Sequence, residues 1–230
     1  MKRVRRLFKM AHANKLVSAE DDPFLRYSMP KKTTPSRRKL KYDEIQKIMG
    51  VELEEGSKLR IARDVFVFSY FAGGIRFSDT CVLRPENFKD GRVVFNSMKT
   101  GQAVSNKLPE QVVDLVRSYC SRNGRMLFPL IDPRIVADPI GLRRQISAKN
   151  VMVNLRLKAV AVQAGIEPSR LTMQVARHSV ANEAQSRGHE IWAIQSMLGH
   201  TKVTTTQTYL DELNLERNDK LMSSLWATAA

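Results

Sequence analysis

One stretch of the chain, residues 87–108, alternates apolar and polar residues with a period of two, whereas the segments on both sides of it have helical periods. It contains two turn sequences, Asp90–Gly91 and Lys99–Thr100–Gly101, between short alternating runs. Asp-Gly favours a hairpin turn because both residues tolerate positive φ. The stretch therefore predicts a small three-stranded antiparallel meander, and the rest of the fold must be helical.

From residue 40 onward, the remaining segments read as helices that end at glycine or proline. Ser57 is placed to cap a long apolar helix that stops at Gly73–Gly74, and Gly199 is placed to end another helix. Ser147 is the expected cap of a helix that runs to Gly165. The predicted helices cover residues 42–49, 58–72, 77–83, 109–120, 148–164, 172–187, 190–198 and 211–226. The expected fold class is mainly α (α+β), helical with a small three-stranded antiparallel sheet.

The first 36 residues differ in composition from the rest of the chain. Residues 2–16 have helical periodicity with a basic opposite face, and residues 17–39 contain three prolines and a basic cluster, which is linker composition. A single 15-residue helix cannot form its own core. We therefore expect residues 1–36 to be the last piece of another domain, or an arm, plus a linker, and residues 37–230 to be the main domain.

The charge balance indicates the class of partner. The chain carries 38 Lys and Arg against 23 Asp and Glu, a formal net charge of +15. An excess of this size favours a polyanion, with nucleic acid as the first candidate, although a ribosome-associated or merely soluble basic protein has the same property. No apolar run approaches the roughly 18 residues of a membrane span. We expect a cytoplasmic protein without a membrane partner.

Motifs that bind cofactors are not found in the sequence. It contains no GxxxxGK, CxxC or HExxH, and its four histidines are scattered. Cys81 and Cys120 lie in apolar or helical contexts, so they read as buried free thiols in a reducing compartment. The expectation is a protein with no metal ion and no small-molecule cofactor.

A set of polar residues lies next to the predicted helix ends and turns. Taken singly, each has a structural explanation: an arginine–aspartate pair at a helix start, a solvated turn lysine, a buried ion-pair arginine, a capping histidine, or a tyrosine that fills a gap between helices. The set consists of Arg76, Asp79, Lys99, Gln174, Arg177, His200 and Tyr209.

Taken together and in this order, the segments around these residues resemble the catalytic domain of tyrosine recombinases, the phage integrase family. The matching segments are FAGGIRFSD, MKTGQAVSNKLP, MQVARHSVANEAQSRGHEIWAIQSMLGH and TKVTTTQTYL. The resemblance covers about residues 38–226, and its most specific part is the sequence pattern LGH…TTxxY. It implies that residues 1–36 are the last helix of a core-binding domain with its linker.

The resemblance also implies roles for the polar residues. Arg76 and Arg177 would be the paired arginines, Lys99 the hairpin lysine, His200 the histidine of the third motif and Tyr209 the nucleophile. The implied enzyme cleaves and rejoins double-stranded DNA through a 3′-phosphotyrosyl intermediate, without metal or ATP, during integration or excision of a mobile element. Such a protein would associate with the nucleoid when it binds DNA.

These residue types suit that reaction chemically. Negative charge builds on the non-bridging oxygens of an attacked phosphodiester, and two permanently charged, planar guanidiniums stabilise it. Tyrosine has a pKa of about 10 and needs cationic neighbours to become a nucleophile. Lys99 is the expected general acid for the leaving 5′ oxygen, His200 would bind the phosphate, and Asp79 would orient Arg76.

One position departs from the family pattern, which usually has His-x-x-Arg. Here the histidine position is Gln174, which can donate a hydrogen bond but cannot carry a proton at neutral pH. We interpret His178 as structural.

The alternative function is a truncated, catalytically impaired integrase remnant that only binds DNA. A type IB topoisomerase uses the same residue kinds, but the LGH…Y spacing and the helix after Tyr209 favour a recombinase.

The predicted last helix carries an apolar stripe. Its members are Leu213, Leu215, Leu221, Leu225 and Trp226. In the family such a helix commonly docks on a neighbouring subunit, so we expect self-association on DNA through residues 211–226, with docking within the same chain as the alternative.

Overall fold

A computed structural model describes residues 2–18, 20–24, 27, 39–122, 125–168 and 171–201. The chain divides into two compact units, Met1–Pro35 and Ser36–Ala230. Tyr209 and the predicted helix at residues 211–226 lie outside the described residues. None of the described helices is both long enough and apolar enough to cross a membrane.

The first unit contains helix α1, Lys2–Ala13. This helix is three residues shorter than the predicted one, because Lys15 adopts a φ of 56° and the chain turns there. The side chain of Asn14 donates a hydrogen bond to the carbonyl oxygen of Met10 at this end. Phe8 packs edge-on against Phe24, with 5.9 Å between ring centroids.

The second unit is a helical domain with one small sheet. Its helices are α2 Tyr42–Met49, α3 Lys58–Phe71, α4 Phe77–Val82, α5 Glu110–Cys120, α6 Pro139–Gln163, α7 Met173–Ser186 and α8 Ile191–Leu198, with 3₁₀ turns at Pro85–Asn87 and Pro133–Ala137. The strands are β1 Phe88–Lys89, β2 Arg92–Asn96 and β3 Ala103–Lys107, which form an antiparallel sheet in that order. The predicted mainly α (α+β) class with a three-stranded meander is confirmed.

Helix α3 is the centre of the domain. It is buried around most of its circumference, and it packs against α5, α6 and α7. The Ser57 side chain caps it as predicted, by accepting a hydrogen bond from the backbone nitrogen of Arg60 across 3.1 Å. Phe66, Phe68 and Phe128 are fully buried in the core that surrounds it. Because α3 is fixed on several sides, the segment that leaves its C-terminal end has a defined direction.

The predicted start of α6 at Ser147 is wrong. The helix begins earlier, at Pro139, where the side chain of Asp138 accepts a hydrogen bond from the backbone nitrogen of Ile140 across 3.0 Å. Asp at the cap and Pro at the first helical position are a strong start signal. Gly141 does not interrupt the helix, whose N-terminal part is held by the buried Leu142.

The two cysteines are both free thiols. Cys81 is buried, whereas Cys120 is only partly buried. Burial raises the pKa of Cys81 to about 12, so this thiol is protonated and unreactive at neutral pH.

Candidate active site

Five of the predicted residues line one cleft of about 610 Å³. They are Arg76, Lys99, Gln174, Arg177 and His200. They come from four separate places in the fold: the start of α4, the tip of the β2–β3 hairpin, the first turns of α7 and the residue that follows the C-cap of α8. The fold therefore brings together residues that lie up to 124 positions apart in the sequence. Asp79 is buried beside the cleft, and Tyr209 lies outside the described residues.

The Gly73–Gly74 pair turns the chain from α3 towards Arg76. Both glycines have positive φ, 78° and 73°. A Cβ atom on Gly74 would lie only 3.0 Å from the Cα and Cγ atoms of Arg177. Glycine is therefore required both for the turn and for the close approach to α7, and the turn leads to Arg76 two residues later.

Asp79 is connected to Arg76 through a serine rather than directly. Its carboxylate is 2% exposed and accepts hydrogen bonds from the backbone nitrogen of Met98, at 2.9 Å, and from Oγ of Ser97, at 3.2 Å. Ser97 Oγ in turn accepts a long hydrogen bond from Nη1 of Arg76, at 3.5 Å. Burial raises the pKa of Asp79, while these hydrogen bonds and the nearby arginines oppose that rise. Asp79 thus joins α4 to the β2–β3 turn that carries Lys99, and Ser97 is its link to Arg76.

Arg177 is held in one orientation by backbone carbonyl groups. It is 5% exposed; Nη1 donates to the carbonyl oxygen of Gly74 and Nη2 to that of Leu198, each across 2.6 Å. Nη2 also lies 2.7 Å from Nε2 of His200. The guanidinium therefore ties together the turn after α3, helix α7 and the end of α8.

His200 is neutral at physiological pH. The pKa of His200 is lowered to about 4, mainly by burial and to a smaller extent by the positive charges of Arg177, Arg76 and Lys99. Since Nε2 accepts the hydrogen bond from Arg177, the ring proton is on Nδ1. The side chain of Gln195 holds the backbone here by donating to the carbonyl oxygen of His200 across 2.9 Å.

The first turn of α7 is capped by another helix. Thr172, the N-cap residue, makes no side-chain cap bond, and Oδ1 of Asn154 in α6 accepts from the backbone nitrogen of Met173 instead, at 2.8 Å. Gln174 is exposed and faces the cleft, one turn before Arg177. His178 is buried and is not among the described residues that line the cleft, in agreement with its interpretation as structural.

Sequence reasoning missed one wall of the cleft, which comes from α6. Its cleft-lining polar residues are Arg143, Ser147, Asn150 and Asn154. They are spaced i, i+4, i+7 and i+11, so they form one polar stripe along the helix. The Asp138–Pro139 sequence could have revealed this wall, because a helix that starts there contains Arg143.

The cleft is suited to binding an anion. Four basic side chains line it, from Arg76, Lys99, Arg143 and Arg177, and no carboxylate is among the described residues that do so. A concave surface lined by one sign of charge concentrates the opposite charge. A phosphate group placed there would meet three arginines, whose guanidiniums have planar donor geometry.

Comparison with known proteins shows which family the chain resembles. Residues 38–216 match the model of the phage integrase family. The chain is 25% identical over 207 residues to the tyrosine recombinase XerD of Vibrio cholerae, covering 90% of this chain and 67% of that protein. It is 27% identical over 194 residues to the tyrosine recombinase XerA of Thermococcus kodakarensis, covering 82% and 63%. The chain thus spans about two thirds of the length of these relatives.

Solved structures share the fold. The crystal structure of XerA recombinase superposes with a TM-score of 0.60 at 21% identity and covers 88% of this chain and 68% of that one. The Tn1549 transposon integrase in complex with a circular intermediate DNA gives a TM-score of 0.63 at 15% identity, with coverage of 96% and 77%. A lambda integrase dimer bound to a COC′ core site gives 0.61 at 17% identity, with coverage of 92% and 71%.

Proposed function

The chain belongs to the phage integrase family, and from the geometry of its cleft we propose that it is a tyrosine recombinase that cleaves and rejoins double-stranded DNA. Its role is the integration or excision of a mobile element, and it acts in the cytoplasm on nucleoid DNA. The XerD and XerA relatives are tyrosine recombinases, and one similar fold is that of a transposon integrase bound to DNA.

The observation that carries the proposal is the convergence of Arg76, Lys99, Arg177 and His200 on one cleft. In the proposed step, Oη of Tyr209 loses its proton to solvent and attacks the phosphorus atom, and the bond from phosphorus to O5′ breaks. The two guanidiniums stabilise the negative charge that develops on the non-bridging oxygens. The electron pair stays on O5′, which receives a proton from the ammonium group of Lys99. Attack by a 5′ hydroxyl on the phosphotyrosyl bond then rejoins the strand.

Trapping of the covalent intermediate tests this proposal. The chain is incubated with nicked duplexes carrying candidate target sites, in which the short released fragment diffuses away and prevents rejoining. We expect an adduct of protein and DNA that resists SDS, and we expect none with Tyr209→Phe. If the unmodified chain forms no adduct with any duplex, or if Tyr209→Phe forms the same adduct, the proposal is wrong.

A second candidate is a DNA-binding protein without cleavage activity. Gln174 favours it, because this exposed glutamine faces the cleft at the position where the family usually has a histidine. A glutamine can hydrogen-bond a phosphate oxygen but cannot transfer a proton at neutral pH. The trapping experiment separates the two candidates, since a DNA-binding remnant would retain affinity for the nicked duplexes and form no adduct.

Self-association on DNA through residues 211–226 is the second part of the proposal. A groove of about 360 Å³ between α2, α3, α7 and α8 has apolar walls that would accept the leucine and tryptophan stripe of this segment. Its lining includes Tyr42, Tyr70, Phe71, Val180, Ile194 and Met197. The lambda integrase structure is that of a dimer on DNA.

Charge substitutions test the self-association. We expect Leu221→Glu in the segment, and Met197→Glu in the groove, each to convert DNA-bound dimers to monomers in sedimentation velocity. Leu155→Glu is the matched control, because Leu155 is an exposed leucine of α6 outside the groove. Dimers that persist in both variants would argue for docking within one chain.

A further inference from the structure

The hairpin that carries Lys99 is tied to the end of α8 by two side-chain hydrogen bonds. Oγ1 of Thr100 donates to the carbonyl oxygen of Gly199 across 3.2 Å, and Nδ2 of Asn106 donates to that of Met197 across 3.1 Å. Thr100 follows Lys99 in the chain, and Gly199 precedes His200. The hydrogen bond from Thr100 to Gly199 therefore joins the two residues that are adjacent in the chain to Lys99 and His200.

Asn106 makes a second connection from the same nitrogen. Nδ2 also donates to the carbonyl oxygen of Ala72, the C-cap residue of α3, across 2.9 Å. An amide nitrogen has two hydrogens, so both are used in these bonds. A Cβ atom on Gly73 would clash with this nitrogen, which makes glycine necessary at the neighbouring position. Asn106 thus links the hairpin, the end of α8 and the segment that leads to Arg76.

These bonds add little to the formation of the hairpin itself. The β2–β3 ladder pairs five residues on each strand, and the buried Val93 and Val104 attach the sheet to the protein. The bonds instead fix the position of the hairpin against α8. The last carbonyl groups of a helix have no partners within it, so those at the end of α8 are free to accept hydrogen bonds from the hairpin. Asp79 of α4 also holds this turn, because its carboxylate accepts a hydrogen bond from the backbone nitrogen of Met98, the residue before Lys99. The turn at Lys99 is consequently held by both α4 and the end of α8.

We propose that Thr100 and Asn106 are positioning residues, which place the ammonium group of Lys99 at the leaving O5′ atom by clamping its hairpin to the end of α8. The inference rests on the proposed function, in which the proton of Lys99 passes to O5′ as the P–O5′ bond breaks. A hairpin released from α8 would still carry a lysine, but the lysine would spend less time at the position from which it can give its proton.

A substrate with sulfur in place of O5′ tests the proposal. A thiol has a pKa of about 8.5, so the leaving thiolate needs no proton and a misplaced general acid has no effect on its departure. We expect Thr100→Val to cleave ordinary DNA on the order of tenfold more slowly, the value for loss of one hydrogen bond. With the sulfur-containing strand, at the site identified by trapping, we expect Thr100→Val to match the unmodified chain.

Two further variants complete the experiment. Thr100→Ser keeps the hydroxyl donor and is expected to restore the ordinary rate, and Asn106→Leu, which removes both amide bonds, is expected to show the same slow rate and the same rescue by sulfur. Thermal unfolding by circular dichroism confirms that each variant is folded.

The outcomes separate this inference from the proposed function. If the unmodified chain cleaves and Thr100→Val is equally fast, or is slowed to the same extent on both substrates, Thr100 does not act through Lys99 and the inference fails alone. If the unmodified chain forms no adduct with either substrate, the proposed function fails and the inference fails with it.

Discussion

Nη2 of Arg177 donates a hydrogen bond to Nε2 of His200 across 2.7 Å, so that two residues 23 positions apart in the sequence form one buried unit. The same guanidinium is bonded to the carbonyl oxygens of Gly74 and Leu198. The bond requires a neutral imidazole, because a protonated ring has no acceptor nitrogen. The orientation of the arginine and the protonation state of the histidine are therefore linked.

The first prediction concerns the dependence of stability on pH. The pKa of His200 is lowered from 6.5 to about 4, so between these values the unfolded chain binds more protons than the folded chain. The free energy of unfolding is then expected to fall as the pH decreases from 6.5 to 4, by about 2–3 kcal/mol from this residue. Above about pH 7.5 both states hold His200 neutral, so the residue no longer affects the pH dependence.

Urea unfolding of the chain and of His200→Gln at several pH values measures this contribution. Glutamine offers an oxygen that can accept from Arg177 without titrating. The difference between the two curves isolates His200 from the other histidines and the carboxylates. Parallel curves between pH 4 and 6.5 would show that His200 is not the titrating group.

The second prediction concerns the geometry of Arg177. Lysine keeps the charge, but it has a single terminal nitrogen, which cannot reach Gly74, Leu198 and His200 as the two terminal nitrogens of arginine do. We expect Arg177→Lys to lower the free energy of unfolding by about 1–3 kcal/mol, because a buried carbonyl loses its donor.

The same variant is expected to slow adduct formation on the order of a hundredfold or more, because one planar donor to the phosphate is lost. The measurement is the single-turnover rate on nicked DNA at saturating protein. Arg117→Lys is the control, since Arg117 is exposed on α5 and forms a surface ion pair with Asp114. An unchanged rate in Arg177→Lys would remove this arginine from the reaction.

Local sequence signals predicted much of this structure. The Asp90–Gly91 turn, the Ser57 cap and the Gly199 terminator each depend on a few neighbouring residues, and the structure contains all three. The family motifs then grouped Arg76, Lys99, Gln174, Arg177 and His200, which the fold brings to one cleft.

The rest depends on contacts between distant parts of the chain, which no local pattern encodes. The bond from Ser97 to Asp79 joins a hairpin to a helix, and it gives Asp79 an indirect connection to Arg76, the residue that Asp79 was expected to orient. The N-cap residue of α7 is Thr172, but the side chain that caps the helix is that of Asn154 in α6. The early start of α6, by contrast, had a local signal at Asp138–Pro139, and it was missed in favour of Ser147.

The third prediction concerns Gln174. Its side chain is exposed at the cleft, so replacement by histidine costs little stability and supplies a group that transfers protons near neutral pH. We expect Gln174→His to accelerate adduct formation by about tenfold to a hundredfold. A general acid or base usually accelerates a reaction by at least about a hundredfold, so this is a conservative value. Gln163→His, at the exposed end of α6, is the control for adding a histidine. A rate in Gln174→His no higher than that of the unmodified chain would mean that glutamine already satisfies this position.

The last prediction concerns the wall of the cleft formed by α6. Arg143 and Arg144 are adjacent, exposed and equal in charge, but only Arg143 is among the residues that line the cleft. If DNA lies along this cleft, Arg143→Gln removes a phosphate contact and the counterion release that accompanies it. We therefore expect the slope of log K against log [salt] to become shallower by about 0.9 in Arg143→Gln and to change much less in Arg144→Gln. Fluorescence anisotropy with a labelled duplex between 50 and 200 mM salt, about the range over which such contacts are resolved, measures both slopes. Equal slopes in the two variants would mean that the DNA passes on another side of α6.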